Sequence, residues 1–90
     1  MIETSLKKLL LTMLKDEYPQ IKDIVIEPSD LGDFITYRVG IGIKYEDLLN
    51  FNKSDLEILN DKIKNLSKYM LGKNEWLEQT FFYDPTFKQY

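Results

Sequence analysis

Three pairs of carboxylates stand close enough along this sequence to suggest catalysis: Asp30 with Asp33, Glu46 with Asp47, and Glu75 with Glu78. Two converging carboxylates can divide acid and base duties when their surroundings push their pKa values apart. Each pair, however, also has a local explanation. Asp30 and Asp33 flank Gly32 in a run of turn formers, where Asp bonds the nearby backbone. Glu46, Asp47 and Glu75 stand near possible helix starts, where acids complement the helix dipole. The chain has no His and no Cys, which excludes imidazole bases, thiolate nucleophiles, thiolate zinc sites and disulfides. No Ser has an identifiable base. We therefore expect no enzyme: no catalytic residue, no metal site and no cofactor.

Residues suited to binding are easier to find. Phe81, Phe82, Tyr83, Phe87 and Tyr90 crowd the C-terminal end, with Asp84-Pro85-Thr86 placing a turn between the two aromatic groups. A third strand can bury only half of them; the surplus either folds back over a thin core or anchors a partner, since aromatic residues are enriched at interface centres. Gly40 and Gly42 fall on one face of a strand pattern and leave a notch without side chains. That notch either admits a partner's backbone or lets a long strand twist over its helices. It is not a phosphate loop, because a third glycine and a following helix start are missing. Phe81, Phe82, Phe87, Tyr90, Gly40 and Gly42 are the expected partner-contact residues.

Charge narrows the partner. Twelve basic against fifteen acidic residues give a net charge of −3, so a phosphate polymer meets repulsion at long range. Nor is any segment basic: residues 1–20 carry three Lys against three acids, 21–45 three cations against four, 46–72 four against five, and 73–90 two against three. Nucleic acid is thus disfavoured, and a protein partner or a second copy favoured. Lys7 and Lys8 precede the apolar run Leu9–Leu11, but Thr12, Lys15 and Asp16 break it and no small-residue cleavage site follows. With no membrane segment expected, the predicted location is the cytoplasm, or a virion if the protein is viral.

The elements that must position these residues can be read from periodicity. Ninety residues make one domain, with residues 83–90 a possible extended aromatic tail. Ile2, Leu6, Leu9, Leu10, Met13 and Leu14 share a helical face from about Glu3 to Glu17, and Pro19 ends the helix. Leu11 and Tyr18 lie beside that stripe, as surface leakage or as a second contact edge. Ile21–Glu27 reads as a strand, Pro28–Asp33 as a hairpin loop with Gly32 able to take positive φ, and Phe34–Tyr45 as a strand of clean alternation. Its odd-numbered face, Ile35 to Tyr45, should meet the helices. Tyr45–Asn52 is a connector with room for one helical turn. A capping box at Ser54 and Glu57 opens a second long helix with Leu56, Leu59, Ile63, Leu66 and Met70 inward, and Gly72 is a natural C′ residue. A final strand is expected near Glu78–Tyr83.

The predicted fold is α+β, in the order α-β-β-α-β, with a small antiparallel sheet of two to three strands packed on two amphipathic helices. This order resembles the type II KH arrangement of the ribosome-binding factor A family. Tyr18-Pro19-Gln20-Ile21 before the first strand, Pro28-Ser29-Asp30-Leu31 in the hairpin and Tyr83-Asp84 after the last strand carry the resemblance. It implies an RNA-associated or ribosome-assembly factor. The chain has no GxxG loop, and without alanine it cannot form the family's Ala-x-Gly kink, so no RNA-contacting residue is transferred. From the residues themselves the expected function is a non-catalytic protein–protein interaction module, a structural or adaptor component of a larger assembly such as a phage particle.

Overall fold

The computed structural model describes residues 2–87. Helix α1 (Ile2–Leu14) leads into strands β1 (Ile21–Asp30) and β2 (Ile35–Ile43); a single turn, α2 (Tyr45–Leu48), precedes helix α3 (Lys53–Ser67) and strand β3 (Glu75–Tyr83). The chain is α+β in the order α-β-β-α-β, with β2 in the middle of a three-stranded sheet. β1 and β2 form the expected antiparallel hairpin. β3 joins β2 in parallel, so the sheet is mixed. The cause is the connection: residues 44–74 include α3, and a helical crossover returns the chain to the same end of the sheet.

The hairpin turns at Leu31–Phe34, closed by the Leu31 amide donating to the Phe34 carbonyl at 2.9 Å. Asp30 accepts from the Gly32 amide at 2.9 Å, and Gly32 takes φ 94°, a conformation that glycine adopts without a Cβ penalty. β1 runs past Pro28, further than alternation alone suggested. As an edge strand it tolerates proline, because half of its amides face solvent.

One face of the sheet carries the core. Val39, Ile41 and Ile43 of β2 and Ile21 and Ile24 of β1 are buried against Leu6, Leu10 and Leu14 of α1 and Leu59 and Ile63 of α3, and Tyr37 of β2 is buried as well. The odd-numbered face of β2 therefore meets the helices, as alternation required. Leu11 and Tyr18 also pack against this core, and Tyr18 stacks on Phe51 with centroids 6.4 Å apart. Met13, by contrast, lies at the outer margin of its stripe and is exposed.

Three helix boundaries differ from the pattern in the sequence. α1 ends at Leu14, one turn short of the expected Glu17. The cap of α3 is Asn52, not Ser54: its side chain accepts from the Asp55 amide at 2.8 Å while Asp55 accepts from the Asn52 amide at 3.0 Å. Asn is at least as good an N-cap as Ser, and the earlier box starts the helix sooner. α3 then ends at Ser67, and Gly72 is no left-handed cap, since among the described residues only Gly32 has positive φ. The Gly72 amide donates instead to Glu75 Oε1 at 2.6 Å.

Candidate functional site

Among the described residues no helix covers the opposite face of the sheet. Residues of even number on β2 point there, with Asp23, Val25 and Glu27 of β1 beside them in register. On β3, Gly40 pairs with Phe81 and Gly42 with Tyr83. The notch left by the two glycines is filled from within the chain. A Cβ on Gly40 would stand 2.6 Å from Phe81 Cζ, and one on Gly42 would stand 3.1 Å from Tyr83 Cζ and from the Asp23 carbonyl oxygen. The glycines are thus the seats of two rings, and both are buried. What a partner would meet is the rings.

This surface is held in place by polar contacts. The Arg38 guanidinium lies 4.9 Å from the centre of the Phe81 ring and pairs with Glu27 at 3.1 Å. With the Gln79 amide turned so that its oxygen faces the guanidinium, it accepts from Arg38 Nε at 2.9 Å. Thr36 donates to Glu78 at 3.2 Å. Burial, and then the nearby Asp23 carboxylate, hold the Tyr83 hydroxyl above its usual pKa, so it stays a neutral donor. Phe34 meets Trp76 edge to face at 4.9 Å and 83°, extending the aromatic band to the far end of β3.

Each expected contact residue can now be placed. Phe81 lies on the open face over Gly40. Phe82, its neighbour, points the other way and packs against the core, so it is a structural residue; successive side chains of a strand must part in this way. Phe87 is 73% exposed, just after a turn built by Asp84, which accepts from the Thr86 hydroxyl and amide and from the Tyr45 amide. Those donors, the Thr86 hydroxyl foremost, lower the Asp84 pKa. Tyr90 lies outside the described residues. Tyr83, Arg38, Trp76 and Phe34 belong to the surface but were absent from the expected set. Their signal was the even-numbered face of β2, which had no apolar partner in the sequence.

The carboxylate pairs do not converge. Glu75 and Glu78 are separated by the strand itself: Glu75 accepts from the buried Tyr37 hydroxyl at 2.9 Å on the core side, whereas Glu78 bonds Thr36 on the open side. Burial first, then Glu75, push the Tyr37 pKa up to about 12. Asp30 is occupied by its turn, and Glu46 and Asp47 lie in the first turn of α2. Among the described residues no three metal-ligating side chains cluster, and no helix is long and apolar enough to cross a membrane.

No family model and no curated protein matches the chain. Its fold, however, is shared. The MamB CTD magnetosome protein of Desulfamplus magnetovallimortis BW-1 is similar over 94% of this chain and 99% of its own, with a TM-score of 0.62 at 10% identity. A benzoate CoA ligase from Burkholderia xenovorans LB400 is similar over 97% of this chain, with a TM-score of 0.55 at 20% identity, but this chain spans only 16% of the ligase. At such identities the likeness describes architecture alone.

Proposed function

We propose that the protein is a non-catalytic protein–protein interaction module, a structural or adaptor component of a larger assembly, with a phage particle as one such setting. The observation that carries this is the uncovered sheet face, on which Phe81 and Tyr83 are seated over two glycines. Aromatic side chains held rigid on a sheet offer contact area at little entropic cost, and such residues dominate interface energetics. The charged groups on this face are largely spent on one another, as Arg38 is on Glu27 and Phe81. The MamB CTD likeness, which spans nearly the whole of that chain, supports a self-contained domain, and the ligase likeness supports one that larger proteins append.

Sedimentation equilibrium of the untagged chain at low and high salt, alone and with Phe81→Asp, tests the reading. A salt-insensitive oligomer that Phe81→Asp dissociates, with circular dichroism unchanged, is the expected result. A stable monomer at both salts would remove the self-assembling version and leave the adaptor. Association that weakens steeply with salt and ignores Phe81→Asp would refute the reading in favour of phosphate contacts.

A further inference from the structure

A groove runs along the free edge of β3, walled by Lys64 and Lys68 of α3, by Leu71, and by Glu75, Trp76 and Leu77. Adjacent residues of a strand point to opposite faces. One depression that touches both Trp76 and Leu77 must therefore wrap the strand's edge, where backbone groups have no ladder partner in this sheet. β3 has β2 on one side only. The groove's volume of 430 Å³ falls within the range of roughly 300 to 1,000 Å³ usual for ligand sites. The depression between Tyr18 and Phe51 reaches 220 Å³.

Three features define what fits. The wall's one carboxylate, Glu75, is turned to internal donors, the Tyr37 hydroxyl and the Gly72 amide. Lys64 and Lys68, one helical turn apart, make no ion pair among the described residues. Trp76 is 50% exposed yet fixed in orientation by Phe34. The groove thus offers two uncommitted cations above an apolar floor, beside an unpaired strand edge. We propose that it docks an extended segment of a partner protein that carries acidic residues alternating with large apolar ones. The segment's backbone pairs with the edge of β3, its carboxylates meet Lys64 and Lys68 on the helix side, and its apolar side chains lie against Trp76 on the open side. Strand addition gives affinity through the main chain and specificity through alternate side chains. The groove is open rather than enclosed, which suits a chain laid against the strand edge more than a small molecule, which a site must enclose.

This inference rests on the reading of the protein as an interaction module, and names the kind of partner. Trp76 is the chain's single tryptophan, so tryptophan emission reports on one place, where the groove meets the end of the open face. The probe is the blocked hexapeptide Ac-EIEIEI-NH2, with Ac-KIKIKI-NH2 as its control. The protein's net charge of −3 favours the basic peptide at long range, so preference for the acidic one has to come from the groove. The expected result is a saturable change in Trp76 emission with the acidic peptide only, weakened about fivefold by each of Lys64→Gln and Lys68→Gln, with thermal unfolding unchanged. No saturation, equal response to both peptides, indifference to the lysine substitutions, or a concentration-dependent emission shift without peptide would each overturn the proposal. Phe81→Asp separates the two readings: it leaves groove binding intact if the groove acts as proposed, even where the sheet face proves inert.

Discussion

If Gly40 exists to seat the Phe81 ring, alanine there must be harmful with the ring present and harmless without it. An added Cβ meets Phe81 Cζ at 2.6 Å and Cε2 at 2.8 Å, and these are the far end of a side chain that can swing away. The ring then leaves the strand surface and its place under Arg38. Loss of the cation–π contact costs about 0.5–1 kcal/mol. Exposure of the ring edge and the backbone beneath it adds about 1 kcal/mol, roughly what one buried CH2 group contributes. Against this, Gly→Ala returns about 0.4–1 kcal/mol where the backbone accepts it, and Gly40 does not have positive φ. Gly40→Ala alone should therefore destabilise by about 1 kcal/mol. In a Phe81→Ala background only the favourable part remains, and the same substitution should stabilise by about 0.5 kcal/mol. Urea unfolding of the wild type, both single variants and the double variant measures the coupling, expected near 1.5 kcal/mol. Additivity within about 0.5 kcal/mol would show that the ring does not depend on the glycine, and the account of the open face would fail.

Three further outcomes follow from the same geometry. Tyr37 ionises near pH 10 when unfolded and at about 12 when folded; stability is full below pH 10 and declines as pH rises through 12, by at most about 2–3 kcal/mol. Urea midpoints at pH 8 and pH 11 should show that decline shrink in Tyr37→Phe. Ser67 is fully buried and, among the described residues, its hydroxyl has no hydrogen-bond partner, so Ser67→Ala should raise stability by about 1 kcal/mol in thermal or urea unfolding. Finally, Phe82→Ala should destabilise by about 2–3 kcal/mol because Phe82 packs on the core, whereas Phe87→Ala, on an exposed ring, should stay within about 0.5 kcal/mol; the reverse order would place the wrong ring inside.

Much of the fold was legible because β2 has one buried face and its alternation is unbroken from Ile35 to Ile43. β3 hid its orientation for a definite reason. By parity, Leu77 should share a face with Phe81 and Tyr83. An irregularity in register between Tyr37 and Arg38 pairs Leu77 and then Gln79 with consecutive residues of β2, leaving Glu78 as the extra residue. That bulge reverses parity, so Leu77 and Phe82 both reach the core while Phe81 and Tyr83 face outward. A bulge arises from pairing with a partner strand and leaves no periodic mark of its own. The two glycines were visible as a notch, but the rings that fill it lie some forty positions further on. The groove was harder still to see, since Lys64, Lys68 and Trp76 are brought together only by the turn after α3. Lysines on a helix otherwise read as a solvated face.

Both proposed surfaces belong to β3, and a single residue pair joins them. Trp76 walls the groove while its ring abuts Phe34 at the end of the open face. The two edges of the sheet differ in a way that favours docking at this one. β1 carries Pro28, an irregular register near Lys22 and the charges of Lys22, Asp23 and Glu27, devices that discourage strand addition. β3 also has a bulge, at Glu78, but it has no proline, and its pairing runs unbroken on each side of the bulge, over Glu75–Leu77 beside the groove and over Gln79–Tyr83 beyond it. An edge free of proline beside uncommitted lysines is a hazard for a protein that works alone. It is a requirement for one that receives a strand, and the parallel crossover through α3 puts the lysines where that strand's acidic side chains must pass.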